Sequence, residues 1–285
     1  MPKIHNHYVP RFYLKGFAEE PPSEMMFAYQ RGSKAPFHTQ VKNLANEVGL
    51  YSDELETVLA NDIEQSANPI LQKLRGFQPI SEDEKLEFSR YMFSMRLRVP
   101  KHLDWTFERA PEVMSKTISK IERQLLEFAE KHPDKRQLVD QRIRQLHDTP
   151  INDTEESIKE MWMKNVPVGI DRPPVQTLAD MEWRYLYYEG DQFFITSDNP
   201  LFFFEALGIG NEKSEVTFPL AKNIVLWAKW RTDIPPGFHR ARTQFVKEVN
   251  RRTISNASKY IFSPYAADWI PTLLAKDTIR LNRVL

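Results

Sequence analysis

Val166 to Pro174 reads V-P-V-G-I-D-R-P-P, and the hydrophobic period of the chain changes across it. Three prolines and a glycine within nine residues cannot continue a helix, so the stretch predicts an exposed connection over 166–174. Apolar residues upstream recur at three and four spacing. Downstream they fall into short runs bounded by turn residues, the pattern of strands. The reading is an α+β chain, with a helical bundle-like half over 1–165 and an antiparallel sheet half over 175–285. One compact domain overall is the alternative.

On the helical side, Asp53 and Glu56 make a capping box, and Leu55, Leu59, Ile63, Ala67, Ile70, Leu71 and Leu74 form one stripe, with Pro69 expected to kink or divide the helix. Ser81 and Glu84 make a second box. The helix it opens, ending before Pro100, carries Phe88, Tyr91, Met92, Phe93, Met95 and Val99 around most of its circumference and is predicted to be central and buried. Arg90, Arg96 and Arg98 on such a helix need carboxylate, carbonyl or phosphate partners, because a guanidinium keeps its charge inside a protein. A further break is expected at Pro111.

On the sheet side, Trp183–Tyr188 and Gln192–Thr196 around Glu189-Gly190-Asp191 read as a hairpin, followed by strands at 201–204, 215–218, 224–230 and 260–262. Near the start, Met25–Gln30 and Phe37–Val41 around Arg31-Gly32-Ser33-Lys34 read as another hairpin. That hairpin and the opening strand are expected to dock on the sheet, whose edges need cover.

The segment densest in functional groups is His5 to Phe17, H-N-H-Y-V-P-R-F-Y-L-K-G-F. In an extended backbone His5 and His7 point to the same side. Pro10 suits the first position of a short helix and Gly16 its left-handed end. Two histidines just ahead of a helix N-terminus can hold a metal ion or an anion. They can equally bond neighbouring backbone while the aromatics anchor the terminus. Downstream, Ser197-Asp198-Asn199-Pro200 is either a turn or a strand-end carboxylate brought to the histidines.

This opening motif resembles the signature of a bacterial family catalogued as domain of unknown function 4238. The resemblance continues through Leu55-Glu56, Glu64, the Arg96 region, F-F-I-T-S-D-N-P ending at Pro200, Pro219-Leu220, Val249-Asn250 and Tyr260-Ile261-Phe262-Ser263. It implies a mixed helix and sheet protein, with an association with phage-defence loci for some members, and carries no assigned catalytic residue.

Composition narrows the chemistry. The 285 residues include no cysteine, which removes thiol catalysis, disulfides and cysteine-held metal. Lys plus Arg equals Asp plus Glu at 39 each, so no global field favours nucleic acid. No signal core or long apolar run is present, and the expected location is the cytoplasm, with no membrane. Phosphate-loop, dinucleotide, zincin and nucleophile-elbow motifs are missing.

Two functions remain. The first is a nucleic-acid-acting phosphoester hydrolase, with His5, His7 and Asp198 as ligands of a divalent metal ion or as proton carriers and Arg96 neutralising charge on the phosphorus oxygens. Arg11, Arg98, Asn199 and Asn250 are its candidate ligand-binding residues. Arg240, Arg242, Lys247, Arg251 and Arg252, with apolar residues at helical spacing, are the candidate nucleic-acid contacts. The second is a non-catalytic module that binds a small anionic ligand or a partner protein.

Overall fold

A computed structural model of the chain describes residues 5–20, 23–33, 35–148, 155–276 and 278–283, with His5 and Asp148 described by their backbone alone. In chain order the elements are β1 (His5–His7), α1 (Arg11–Leu14), β2 (Met25–Gln30), β3 (Phe37–Gln40), β4 (Asn46–Val48), α2 (Asp53–Val58), α3 (Gln65–Arg75), α4 (Glu82–Leu97), α5 (Pro100–Lys131), α6 (Arg136–Asp148), α7 (Glu155–Asn165) and α8 (Pro173–Asp180). There follow β5 (Glu182–Tyr187), β6 (Thr196–Ser197), β7 (Phe202–Phe203), β8 (Glu215–Ala221), β9 (Ile224–Lys229), β10 (Gly237–Arg240), α9 (Thr243–Asn256), β11 (Tyr260–Ser263) and α10 (Trp269–Leu274).

The fold is α+β. Five strands make a mixed sheet in the order β10-β5-β9-β8-β7, four make an antiparallel sheet in the order β3-β2-β11-β6, and β1 pairs with β4. Two compact units result, residues 1–99 with 166–285, and residues 100–165. The first 99 residues therefore go with the sheets and not with the later helices. The second unit is α5, α6 and α7. Its α5 runs unbroken through the expected break at Pro111, and its buried residues are few, Ala110, Ala129, Val139, Ile158 and Trp162 among the described residues.

In the first unit the β2–β3 hairpin docks as expected, β2 pairing with β11. The opening strand does not reach that sheet. It pairs antiparallel with β4, His7 opposite Asn46. The expected Gln192–Thr196 strand beside β5 is also absent. There β9 takes one edge of β5 and β10, running parallel, the other. The 193–195 backbone is instead held by Asn250 of α9, which donates to Phe193 O (2.8 Å) and accepts from Ile195 N (3.1 Å).

The second capping box forms as expected, Ser81 and Glu84 bonding reciprocally. The first shifts by one residue, Ser52 accepting from Leu55 N at 3.3 Å. The helix after it passes Pro69 without dividing, and its irregularity lies one turn earlier, a π-helical stretch over Leu59–Glu64. The stretch 166–174 is exposed only in its second half. Val166 and Val168 are buried, and their carbonyls accept from Ser94 Oγ (3.0 Å) and Arg90 Nε (2.7 Å) of α4.

The opening motif is fixed to the five-stranded sheet through α1. Tyr13 is fully buried, and its hydroxyl donates to Pro219 O at 2.8 Å and pairs with Thr196 Oγ1 at 2.8 Å. Arg75 of α3 crosses beneath, donating to Phe12 O, Tyr13 O and Leu220 O at 3.0, 2.7 and 2.8 Å. Burial pulls its pKa down to about 10. Gly16 is needed for this approach and not for a left-handed cap, since a Cβ there would collide with the Arg75 guanidinium. Tyr13→Phe leaves Pro219 O and the Thr196 hydroxyl buried with one partner fewer. A loss of about 1–3 kcal/mol is expected in urea denaturation, with an unchanged m-value.

Candidate functional site

Strand alternation decides which groups of the opening motif enter the protein. His7 and Asn6 lie on opposite sides of β1; Asn6 is fully buried, and Tyr8 just beyond the strand is buried too. Asn6 accepts from Tyr51 N (3.2 Å) through Oδ1 and donates to Glu56 Oε2 (3.3 Å) through Nδ2. Arg98, at the end of α4 and 2 % exposed, donates from Nε to Tyr8 O (3.0 Å) and from Nη1 to Glu64 Oε1 (2.6 Å). The motif, α2, the π-helical stretch and α4 thus meet in one polar cluster.

The π-helical stretch helps to aim the acids at α4. Asp62, within it, pairs with Arg90, while Glu64, its last residue, reaches Arg98. Glu56 is half-buried and Glu64 keeps 23 % of its side chain exposed, so solvent meets the cluster on its acidic side. Arg98 Nη2 and the Tyr91 hydroxyl, by contrast, are buried polar groups with no hydrogen-bond partner among the described residues. Leaving such donors unbonded costs about 1–3 kcal/mol each, so a bound oxygen atom would complete them.

Burial raises the proton affinity of the Glu56 carboxyl, and the nearby Glu64 charge raises it further, against the hydrogen bond from Asn6 and the attraction of Arg98. Burial acts to lower the Arg98 guanidinium, but Glu64, Tyr51 and Tyr91 more than offset it and its pKa is raised. The Tyr8, Tyr51 and Tyr91 hydroxyls are all pushed far up by burial and stay protonated.

Most of the residues singled out by sequence have partners of their own. His7 Nε2 lies 3.0 Å from Lys42 O and can donate to it, and the His5 side chain lies outside the described residues. Asp198 is buried, and its oxygens accept from Ser258 N (2.8 Å), Lys259 N (2.6 Å) and Tyr260 N (2.9 Å). It holds the link between α9 and β11. Asn199 donates to Asn256 O (3.3 Å), and Asn256 returns a bond to Asn199 O (2.7 Å). Asp198, Asn199 and Asn250 therefore tie the F-F-I-T-S-D-N-P segment to α9 and β11. Burial is the larger cause of the raised Tyr8 pKa, and the Asp198 charge adds to it.

Arg96 is mostly buried, pairing with Glu205 (2.6 Å) and lying over the Phe203 ring at 4.5 Å. Arg11 is exposed. Among the described residues no three His, Asp or Glu side chains group so as to hold a metal ion.

The basic run does not form one helical face. Residues 237–240 are strand β10 and the helix begins at Thr243. Arg252 is fully buried against Glu215 (2.7 Å) and unavailable to phosphate, and Arg251 pairs with Glu248 (3.4 Å). Arg240, Arg242 and Lys247 remain exposed.

Asn6, Tyr8, Tyr51 and Tyr91 were not singled out by sequence as site residues, nor were Glu56 and Glu64. The signal for Asn6 was the same alternation that put the histidines together, read for the opposite face. The signal for Glu64 was the unpaired charge of a buried arginine.

Fold and cluster together define an α+β protein whose N-terminal motif supplies one wall of a half-open acidic site backed by a buried arginine. The chain belongs to the family described as protein of unknown function DUF4238, whose model matches residues 5–265. No curated protein and no solved structure matches it. Among the described residues no helix is long and apolar enough to cross a membrane.

Proposed function

We propose that this protein is a hydrolase, with Glu56 as its proton carrier and phosphoesters of nucleic acid as the substrate class. The observation that supports the reading is the pair of carboxylates in unequal settings: Glu64 clamped by Arg98, and Glu56 half-open with its proton affinity raised. Such a pair sets a carboxylate held in an ion pair beside one whose proton affinity burial raises, an asymmetry that suits a general base. Glu56 takes the proton of the water that attacks phosphorus and passes it to the ester oxygen that leaves as its bond to phosphorus breaks. Arg98 Nη2 and the Tyr91 hydroxyl donate to the oxygen on which charge builds. Glu64 and Asn6 act as positioning residues, one fixing the guanidinium and the other the Glu56 carboxyl.

The test is turnover of bis(p-nitrophenyl) phosphate, single- and double-stranded DNA and RNA by the purified chain, with chelator and with added magnesium or manganese. Glu56→Gln is expected to lower the rate by about 100-fold or more, and Tyr91→Phe by about tenfold. A wild-type chain inert toward all of these substrates, or a Glu56→Gln variant as fast as wild type, removes the reading. The first outcome would favour the binding-module alternative.

A stability measurement checks the Glu56 environment separately. Its folded pKa lies above the unfolded one, so its contribution is fully favourable below the unfolded pKa and is lost as pH rises through the folded pKa. Glu56→Gln should thus melt about 2 °C higher than wild type at pH 8, with the difference disappearing toward pH 4. A difference constant with pH would show that Glu56 titrates as it does in the unfolded chain.

A further inference from the structure

We infer a second site, independent of the acid–base centre, that binds a small organic anion with an apolar or aromatic body. It is a cleft of about 620 Å³ between β5, β10, the first turn of α9 and the tail at Asn282–Arg283. Its volume falls in the range of small-molecule sites, on the order of 300–1,000 Å³.

The lining has two chemistries. Leu186, Ile234 and Phe245 provide an apolar floor continuous with a core cluster that includes Trp227 and Val249. Arg240, Arg242 and Arg283 stand around it. Arg242 and Arg283 have no ion-pair partner among the described residues, and Arg240 has only Glu189 at 4.0 Å, both side chains about two-thirds exposed. A pair so exposed contributes little and yields readily to a better anion. Among the described residues of the lining the one acid, Glu248, is 3 % exposed and already engaged, accepting from Asn282 N (2.7 Å) and pairing with Arg251 and Arg252. The field in the cleft is accordingly positive. The start of α9 adds to it, since Arg242 at its N-cap makes no side-chain cap bond and, with Phe245 N and Val246 N donating to Arg242 O (2.9 and 3.3 Å), the Thr243 and Gln244 N–H groups open the 14-residue helix.

A bare phosphate would leave the apolar floor wet, and a neutral hydrocarbon would leave the arginines unused. An extended polynucleotide is also a poor fit, because Arg252 is buried and Arg251 is paired, so the basic residues converge on a concavity and do not trace a backbone.

The probes that separate these chemistries are 1-anilinonaphthalene-8-sulfonate, its uncharged analogue N-phenyl-1-naphthylamine, and inorganic phosphate. On the full chain at low salt, the sulfonate should bind at one saturable site at least tenfold more tightly than the neutral analogue. Phosphate should displace it only weakly. Arg240→Ala with Arg242→Ala, both at exposed positions, should weaken the sulfonate at least tenfold with an unchanged melting temperature, and Ile234→Ser should weaken both dyes. Equal affinity for charged and neutral dyes, phosphate binding as tightly as the sulfonate, or sulfonate binding untouched by the double arginine variant would each overturn the assignment. Glu56→Gln is expected to leave dye binding unchanged, so failure of the hydrolase reading and failure of this one are distinguishable.

Discussion

Arg252→Met is expected to lower the melting temperature by on the order of 10 °C, the largest single effect foreseen for this chain. Arg252 is fully buried, donates from Nη2 to Glu215 Oε2 (2.7 Å) and Asn282 O (2.8 Å), and has Glu248 within 3.9 Å. Its guanidinium also lies over the Phe202 and Phe204 rings at 5.3 and 5.2 Å. Removing it takes from the Glu215 carboxylate, itself 1 % exposed, the guanidinium that pairs with it. Breaking a buried pair from one side costs about 3–5 kcal/mol, most of it the burden of the carboxylate left behind. Glu215→Gln in the same chain removes that burden and should recover about half of the loss. Lysine is no substitute, since a point charge on a flexible stem cannot stack on two rings and donate to two acceptors at once. An Arg252→Met chain that melts like wild type would mean that water reaches Glu215 and that the cluster is not a dry one.

Asp198→Ala should cost about 3–4 kcal/mol in chemical denaturation. Three consecutive backbone N–H groups, those of Ser258, Lys259 and Tyr260, lose a charged acceptor, and bonds to charged groups are each worth about 1.5–3 kcal/mol before the turn relaxes or takes up water. Asp198→Asn keeps one carbonyl acceptor and should cost about half as much. The loss should be visible locally, as faster hydrogen exchange at 258–260 than elsewhere in β11. The same variants separate architecture from chemistry. A carboxylate that holds a turn affects stability first and activity only through it. An Asp198→Asn chain with wild-type stability but no hydrolysis would return Asp198 to the active centre.

Much of the architecture was determined by the sequence alone. The reciprocal box at Ser81 and Glu84, the all-round apolar surface of α4 and the strands β8, β9 and β11 follow from local rules of capping and periodicity, which act within a few residues. The demand for partners on α4 was equally legible, because a buried guanidinium must be met by an acceptor wherever the chain finds one.

Which acceptor meets which arginine was decided only by the tertiary structure. Glu64 is 34 residues from Arg98 and Glu205 is 109 from Arg96, and nothing in local spacing selects either. Strand pairing was undecided for the same reason. The 193–195 segment has a strand's composition, yet Asn250, 55 residues away, takes up its backbone from the side and leaves β5 to β9 and β10. His5 and His7 drew attention because imidazoles are versatile. Asn6 between them, which reads as an ordinary polar residue, is the one that alternation turns inward to Glu56. Face and partner are properties of the packed chain, since a polar group takes its role from what the fold places within about 3 Å of it.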